Sequence, residues 1–292
     1  MKSQLQYHGH NPDEGLIQLN FNDGRIKTET ILEILETQGD SIALVMLPGV
    51  QYYSGQVFDM ASITNKAHQK GCMVGFDLAH AIGNIPLQLH DWNVDFAVWC
   101  SYKYLNGGPG AVGGFFIHDK HGSDLNLQRF AGWWGHDRSS RFQMENEFLP
   151  IKGAKGFLHS NVNVVSTACV LASLTIFEKC NDNLRRQKSL DLVNYLRKLI
   201  QSNFSSEEIA IITPMEEEQT GSQTSLLFKR GDINHIAEQL KANGVIIDKR
   251  NPNVIRVSPV PLYNTFKDVW KFVHLLKIIM KQSGKDKKQS NL

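Results

Sequence analysis

The sequence holds no apolar run approaching the roughly 20 residues that a membrane-spanning helix needs. Its opening segment, MKSQLQYHGHNPDEG, lacks the apolar stretch of a secretory leader. Charge of neither sign is in surplus: 31 Lys and Arg stand against 29 Asp and Glu, a formal +2. No global field therefore draws the chain to nucleic acid or to acidic lipid. Cysteine is scarce, with residues at 72, 100, 169 and 180 and no CxxC pair, which argues against a disulfide scaffold. Buried free thiols in a reducing compartment fit better, and a soluble cytoplasmic protein is expected. The histidine pairs His8/His10 and His118/His121 come without the carboxylates of a metal box. No metal site is expected, and solvent exposure is the reading for both pairs. Neither an internal repeat nor a long linker interrupts the chain.

What is present is ordinary globular composition, 292 residues with 41% hydrophobic and 21% charged. Short apolar runs lie at 41–47, 72–76, 94–100 and 111–117, with a helical-looking stretch at 58–70 between the first two. Apolar strands without polar alternation suggest a mostly parallel sheet buried on both faces, in an α/β architecture. The second half changes character. Helices are expected at 163–180, 183–202, 233–242 and 266–280, and strands at 222–228 and 245–248. Asn243-Gly244 stops the third of these helices. Pro259 and Pro261 keep 254–260 extended. The basic tail after Met280 is expected to fray. The chain is divided into a large-domain part, 1–162, and hinge helices with a smaller α/β domain, 163–292.

Two segments could carry chemistry. Asp77 and His80, in FDLAH, sit just past an apolar strand, where ligands bind in open α/β sheets. On this segment alone, helix capping outweighs chemistry for Asp77. Lys103 also follows a strand, in SYKYLNGGPG, flanked by Tyr102 and Tyr104 and then by glycines that let backbone approach a ligand. An isolated lysine at a strand end is usually a solvated surface residue. Together, a lysine that can bond covalently to a carbonyl and an acid for a pyridinium nitrogen are the usual protein contribution to pyridoxal phosphate (PLP) chemistry. His80 is a hydrogen-bond donor beside that acid.

Other features carry less. Gly108–Gly113 matches G-x-G-x-x-G, but a strand rather than a helix follows, so a dinucleotide site is rejected. Trp133-Trp134-Gly135-His136 reads equally well as a core cluster or a ligand wall. Arg256, in NVIRVSPVPLYN, could grip a carboxylate with two parallel hydrogen bonds, although a surface salt bridge is the commoner role.

Three blocks together, FDLAHAIGNIPLQLHDWNVDFAVWCSYKYLNGGPG, GWWGHDRSSRF and RNPNVIRVSPVPLYN, resemble the kynureninase family, and the likeness runs from about Leu5 to the last helix. The resemblance implies a PLP-dependent transferase-like fold. It also implies hydrolytic cleavage of L-kynurenine or 3-hydroxy-L-kynurenine to L-alanine and anthranilate or 3-hydroxyanthranilate, in tryptophan catabolism and NAD biosynthesis. By the same resemblance, Lys103 holds PLP covalently and acts in catalysis with Tyr102. Asp77 pairs with the pyridine nitrogen with His80 beside it, and Tyr102, Trp133 and Asn161 contact the phosphate. The last two are expected to do so across a homodimer interface. Arg256 holds the substrate carboxylate, and His136, Ser160 and Asn161 lie near its aryl ring.

The chain departs from the family in two places. Pro48 stands where members carry a serine near the phosphate. Members also carry a further N-terminal region with an aromatic plate over the cofactor and a phosphate-cradling loop, and nothing in residues 1–53 replaces it. The expectation is an N-terminally shortened chain with little activity of its own. A catalytically silent binding or dimerisation protein is one rival reading. Another PLP-dependent lyase or desulfurase is a second, although the four cysteines look structural rather than reactive.

Overall fold

In the computed structural model, which describes residues 1–20, 24–144 and 146–289, two sheets each collect their own hydrophobic core. The first contains β1 (Leu44–Pro48), β2 (Met73–Asp77), β3 (Phe96–Trp99) and β4 (Gly114–Ile117), in that spatial order. The β1–β2 and β2–β3 pairs are parallel and β3–β4 is antiparallel. Helices α1 (Thr28–Gln38) and α2 (Met60–Gln69) cover one face. Ile31, Leu35, Ile63 and Ala67 join Val45, Val74, Phe76 and Ala97 in its core. The Asp59 carboxylate starts α2 by accepting from the Ser62 amide at 3.0 Å, one of the amides a helix start leaves unpaired.

The other face departs from expectation. Leu44, Met73 and Val98 alternate with the core residues and are about 40% exposed (39%, 41% and 41%). A continuous apolar run predicts burial on both faces, but among the described residues no helix covers this side.

The second sheet is antiparallel throughout, in the order β5 (Ile209–Ile211), β6 (Thr224–Phe228), β8 (Val254–Val257), β7 (Asp248–Arg250). Around it stand α3 (Val164–Glu178), α4 (Asp182–Asn203), α5 (Ile233–Ala242) and α6 (Phe266–Gln289). Leu192, Leu196 and Ile200 of α4 meet Ile236 and Leu240 of α5 and Phe272, Val273 and Leu276 of α6. Gly244, at φ +76, supplies the left-handed residue that ends α5, as its Asn-Gly signal predicts. Among the described residues, α1, the three-residue β5 and the short helices Lys2–Tyr7, Pro12–Gly15 and Asp119–Gly122 escaped the sequence reading. Helix α6 continues to Gln289, past the expected end at Met280, and the last three residues of the expected frayed tail lie outside the described ones.

A buried polar seam joins the two cores. The Ser222 amide donates to Asn84 Oδ1 at 2.8 Å, Ser225 Oγ donates to the Tyr53 carbonyl at 2.6 Å, and Gln223 Nε2 donates to the Tyr52 carbonyl at 3.0 Å. These bonds partner most of the buried polar groups of the seam, as a dry interface requires, although the Thr224 hydroxyl is buried without a partner. No single described helix is long and apolar enough to cross a membrane. The α3–α4 pair reaches that composition only together, across an 89° bend.

Candidate active site

Because β2 and β3 run parallel, their carboxyl ends open on the same edge of the sheet. Asp77 is the last residue of β2 and lies opposite Val98 of β3, and Lys103 follows β3 by one short turn. Pro48, the last residue of β1, pairs with Asp77 on the same edge. Asp77 accepts from the Ala79 amide at 2.8 Å through Oδ1. This bond opens a turn over residues 79–84 and not a helix, so the capping role takes a different form from the one expected.

The turn carries His80 against the lysine loop. Its ring meets that of Tyr104 edge-on at 6.1 Å, and its buried Nδ1 has no hydrogen-bond partner. The His80 imidazole is pushed down to about 4 by burial, with the positive charges of Lys103 and Arg256 adding to it and Asp77 opposing. His80 is therefore neutral near pH 7, with one ring nitrogen unused.

The lysine loop is held at several points. Ser101 Oγ donates to the Val112 carbonyl at 2.6 Å, and the Gly107 amide donates to the Ser101 carbonyl at 2.9 Å. Tyr104 is buried, and its hydroxyl lies 3.2 Å from Ser258 Oγ on the segment after β8. Gly83 lets the two turns meet: at φ +74, an added Cβ would lie 2.8 Å from the Tyr104 carbonyl oxygen. Within this frame Lys103 Nζ contacts Cys100 Sγ at 3.3 Å and sits 5.1 Å from the Tyr102 ring centre. Tyr102 itself is 52% exposed.

Arg256 reaches the same region from the second sheet. Its Nη1 donates to the Tyr52 carbonyl at 2.7 Å, and Nη2 forms an ion pair with Asp248, the residue directly opposite on β7. Its Nε is buried without a partner. Burial lowers the guanidinium below its ordinary range, with the fields of Tyr104 and Tyr52 opposing. Asp77, Lys103 and Arg256 thus each lie within electrostatic reach of His80.

The other sequence-derived positions form a separate patch. Trp133 stacks on the Arg141 guanidinium at 5.0 Å and meets Phe142 edge-on at 5.3 Å. Gly132 is closed on by the 159–161 segment, since an added Cβ would lie 2.1 Å from His159 Cα. The Trp134 amide donates to the His159 carbonyl at 3.4 Å, which runs the backbone beside Trp133 next to that preceding Ser160, and Ser160 Oγ donates to Asn161 Oδ1 at 3.3 Å. His136 is buried, with Nδ1 accepting from the Leu149 amide at 3.3 Å and Nε2 3.0 Å from Ser140 Oγ. Among the described residues, no hydrogen bond, ion pair or ring contact joins this patch to Asp77, His80, Lys103 or Arg256.

One cluster was missed by sequence reasoning. Asp95, 2% exposed, precedes β3 at the opposite edge of the sheet. It accepts from His68 Nε2 at 2.8 Å, His121 Nε2 at 2.7 Å and the Val74 amide at 2.6 Å, with Lys120 Nζ at 2.7 Å. Burial raises its pKa, but the bonds from His121, Lys120, His68 and Val74 outweigh it and hold Asp95 well below the usual carboxylate range. The reading of His121 as a solvated surface residue is corrected: it is a buried-carboxylate partner. No sequence signal links residues 68, 95 and 121, because they meet only through the sheet.

A family model described as the kynureninase C-terminal domain matches residues 185–276. A kynureninase of Coccidioides immitis is 44% identical over 98% of the chain and 63% of its own length. One of Sclerotinia sclerotiorum is 47% identical over 94% of the chain and 61% of its length. The chain thus spans a little under two thirds of these curated relatives. Among solved structures, a cysteine desulfurase from Thermococcus onnurineus superposes with TM-score 0.78 at 15% identity, covering 96% of this chain and 69% of its own. The C-DES protein with glycine covalently linked to its PLP cofactor gives TM-score 0.72 at 18% identity, covering 85% and 63%. At these identities the likeness establishes the fold, that of PLP-dependent enzymes.

Proposed function

We propose that the chain is a member of the kynureninase family and that its residues serve PLP-dependent hydrolysis of L-kynurenine or 3-hydroxy-L-kynurenine. The products are L-alanine and anthranilate or 3-hydroxyanthranilate. The observation that supports the reading is the position of Asp77 at the end of β2 and of Lys103 just past β3, two adjacent parallel strands, with Asp77, Lys103 and Arg256 each acting on His80. The residues fit the cofactor on their own chemistry. Lys103 offers an amine whose polar neighbour is a thiol, Asp77 presents a carboxylate at the sheet edge, and His80 has an unused buried Nδ1.

When bound, PLP supplies an electron sink for the bond-breaking step. Lys103 would anchor it and then move protons at the substrate's Cα. Asp77 favours a protonated ring nitrogen, and its remaining oxygen is free for that contact. Arg256 takes the substrate carboxylate, for which its unpartnered Nε is suited. Tyr102 is exposed at the mouth of the site and is assigned phosphate binding and proton delivery. Trp133 and Asn161 are assigned to phosphate contact, and His136, Ser160 and Asn161 to the aryl end. Their separation from Lys103 within one chain is consistent with a homodimer in which one subunit completes the other's site. Residues 1–162 are assigned to the cofactor-binding unit and 163–292 to the smaller one, in a cytoplasmic enzyme.

The test is direct. Purified chain with excess PLP should absorb in the visible region, and borohydride should fix the label on Lys103. A label elsewhere, or none, would overturn the assignment. Kynurenine turnover should fall well below that of a full-length relative, because the chain spans 61–64% of those proteins. Turnover equal to theirs would show that the unspanned part is dispensable.

A further inference from the structure

The lysine loop contains a second nucleophile that the reading above leaves idle. Cys100 directly follows β3, is half-buried, and has its Sγ 3.3 Å from Lys103 Nζ. The other cysteines have different surroundings. Cys72 is buried with its Sγ donating to the Gly39 carbonyl, Cys180 Sγ donates to the Asn181 carbonyl, and Cys169 is exposed on α3. The Cys100–Lys103 pair lies within a single turn whose ends are tied down, by Ser101 to Val112, by the Asn106 amide to the Lys103 carbonyl and by Tyr104 to Ser258.

We propose that Cys100 and Lys103 form a peroxide-sensitive latch, in which oxidised sulfur captures the amine as a sulfur–nitrogen bond. The oxidant is a hydroperoxide. In the first step the Cys100 thiolate sulfur attacks one peroxide oxygen and the O–O bond breaks, giving a sulfenic acid and, with one proton, an alcohol, or water when the oxidant is hydrogen peroxide. In the second step the Lys103 amine attacks that sulfur. The S–O bond breaks, the S–N bond forms, and the hydroxyl leaves as water with a proton from the nitrogen. The net change in the protein is the loss of two hydrogens. Two equivalents of an external thiol reverse it, restoring amine and thiol and leaving as their disulfide.

Proximity decides between this outcome and further oxidation. A second peroxide must diffuse in, whereas the amine is already in contact with the sulfur, and such intramolecular partners act at effective concentrations far above any solute.

The consequence rests on the proposed function: a captured Lys103 cannot take up PLP, and bound PLP removes the amine from the sulfur's reach. The latch would therefore act on the cofactor-free chain and leave the loaded one unaffected.

The experiment reads the bond separately from the cofactor. Chain without PLP is treated with hydrogen peroxide, alkylated and digested with trypsin. The expected product is an uncut Gly71–Lys120 peptide about 2 Da lighter than its reduced form, reverting with thiol. Loss of cleavage at Lys103 distinguishes it from a Cys72–Cys100 disulfide, which leaves that bond cuttable. PLP added afterwards should label Lys103 at least about fivefold less than in untreated chain, whereas in C100S peroxide should change labelling by less than about twofold. PLP added before peroxide should suppress the light peptide. Oxidation of Cys100 to the sulfinic acid with Lys103 still cleaved, or Cys100 left unreacted, would overturn the latch. Failure of PLP to label untreated Lys103 would instead sink the functional reading, with the peptide map still deciding the bond.

Discussion

Replacing Asp95 with Asn tests whether a buried carboxylate fastens the edge of the first sheet opposite the active site. Asp95 is 2% exposed and takes hydrogen bonds from two imidazoles and a backbone amide, with the Lys120 ammonium at 2.7 Å. An asparagine keeps the shape but removes the charge, and turns one acceptor into a donor facing donors. Breaking a buried ion pair by removing one partner costs about 3–5 kcal/mol, and Lys120 is only partly buried, so the lower end applies. The expected loss at pH 7 is therefore ~3 kcal/mol by denaturant titration. The pH dependence has a fixed sign. A carboxylate held below its unfolded value stabilises the fold above that value, and the benefit fades as pH falls through it toward the lower folded one. The gap between wild type and variant should thus be full at pH 6 to 7 and shrink below about pH 4. A loss under about 1 kcal/mol at pH 7, or a gap that does not narrow in acid, would refute the assignment.

Two further perturbations bear on the site. Gly83→Ala places a Cβ against the Tyr104 carbonyl at a positive φ, and should cost about 1–3 kcal/mol and reduce PLP labelling of Lys103. A denaturation midpoint equal to wild type would show that the two turns do not need this close approach. Arg256→Lys keeps the charge but loses the planar fork that reaches Tyr52 and Asp248. In PLP-loaded protein it should weaken binding of an α-amino acid such as L-alanine by about tenfold or more, read from the cofactor's absorbance, while leaving Lys103 labelling intact. Unchanged amino-acid affinity would remove Arg256 from the carboxylate site.

Much of the fold was legible because each signal was local. The helix over Ile233–Ala242 is bounded by Asp232, whose side chain accepts the Asn234 amide, and by Asn243-Gly244, and both signals are visible in the sequence. Strands β1 to β3 were marked by apolar runs, although their ends shifted by one to three residues. Helix α1 was missed because its apolar face is thin, with only Ile31 and Leu35 buried. Strand β5 has three residues, too few for any periodicity. At the site, the placement of Asp77 and Lys103 on one sheet edge was legible in the sequence because Asp77 ends one apolar strand and Lys103 follows the next, and β2 and β3 are parallel. The engagement of Arg256 by Asp248, the packing of Tyr104 against Ser258 and the contact of Cys100 with Lys103 were not. The first two depend on strand register and on the seam between the sheets, and the last on how a loop turns back on itself.

The electrostatics of the site follow from which charges the fold leaves unbalanced. Lys103, Arg256 and Arg250 all lower the His80 imidazole, and only Asp77 raises it. Asp248 is tied to both Arg250 and Arg256, so its charge is already shared. The field at His80 is therefore positive although the whole chain is nearly neutral. A positive field in a half-buried cleft favours anionic ligands. Asp77 works against this field at one point, the carboxyl end of β2, where a protonated ring nitrogen requires a negative partner. An Asp77→Ala variant therefore changes two things together: it removes the ring's counter-charge and leaves the field at His80 more positive. PLP should still be drawn in by its phosphate, but the absorbance of the bound cofactor should titrate at lower pH than in wild type. Identical titration curves would mean that Asp77 does not face the cofactor ring.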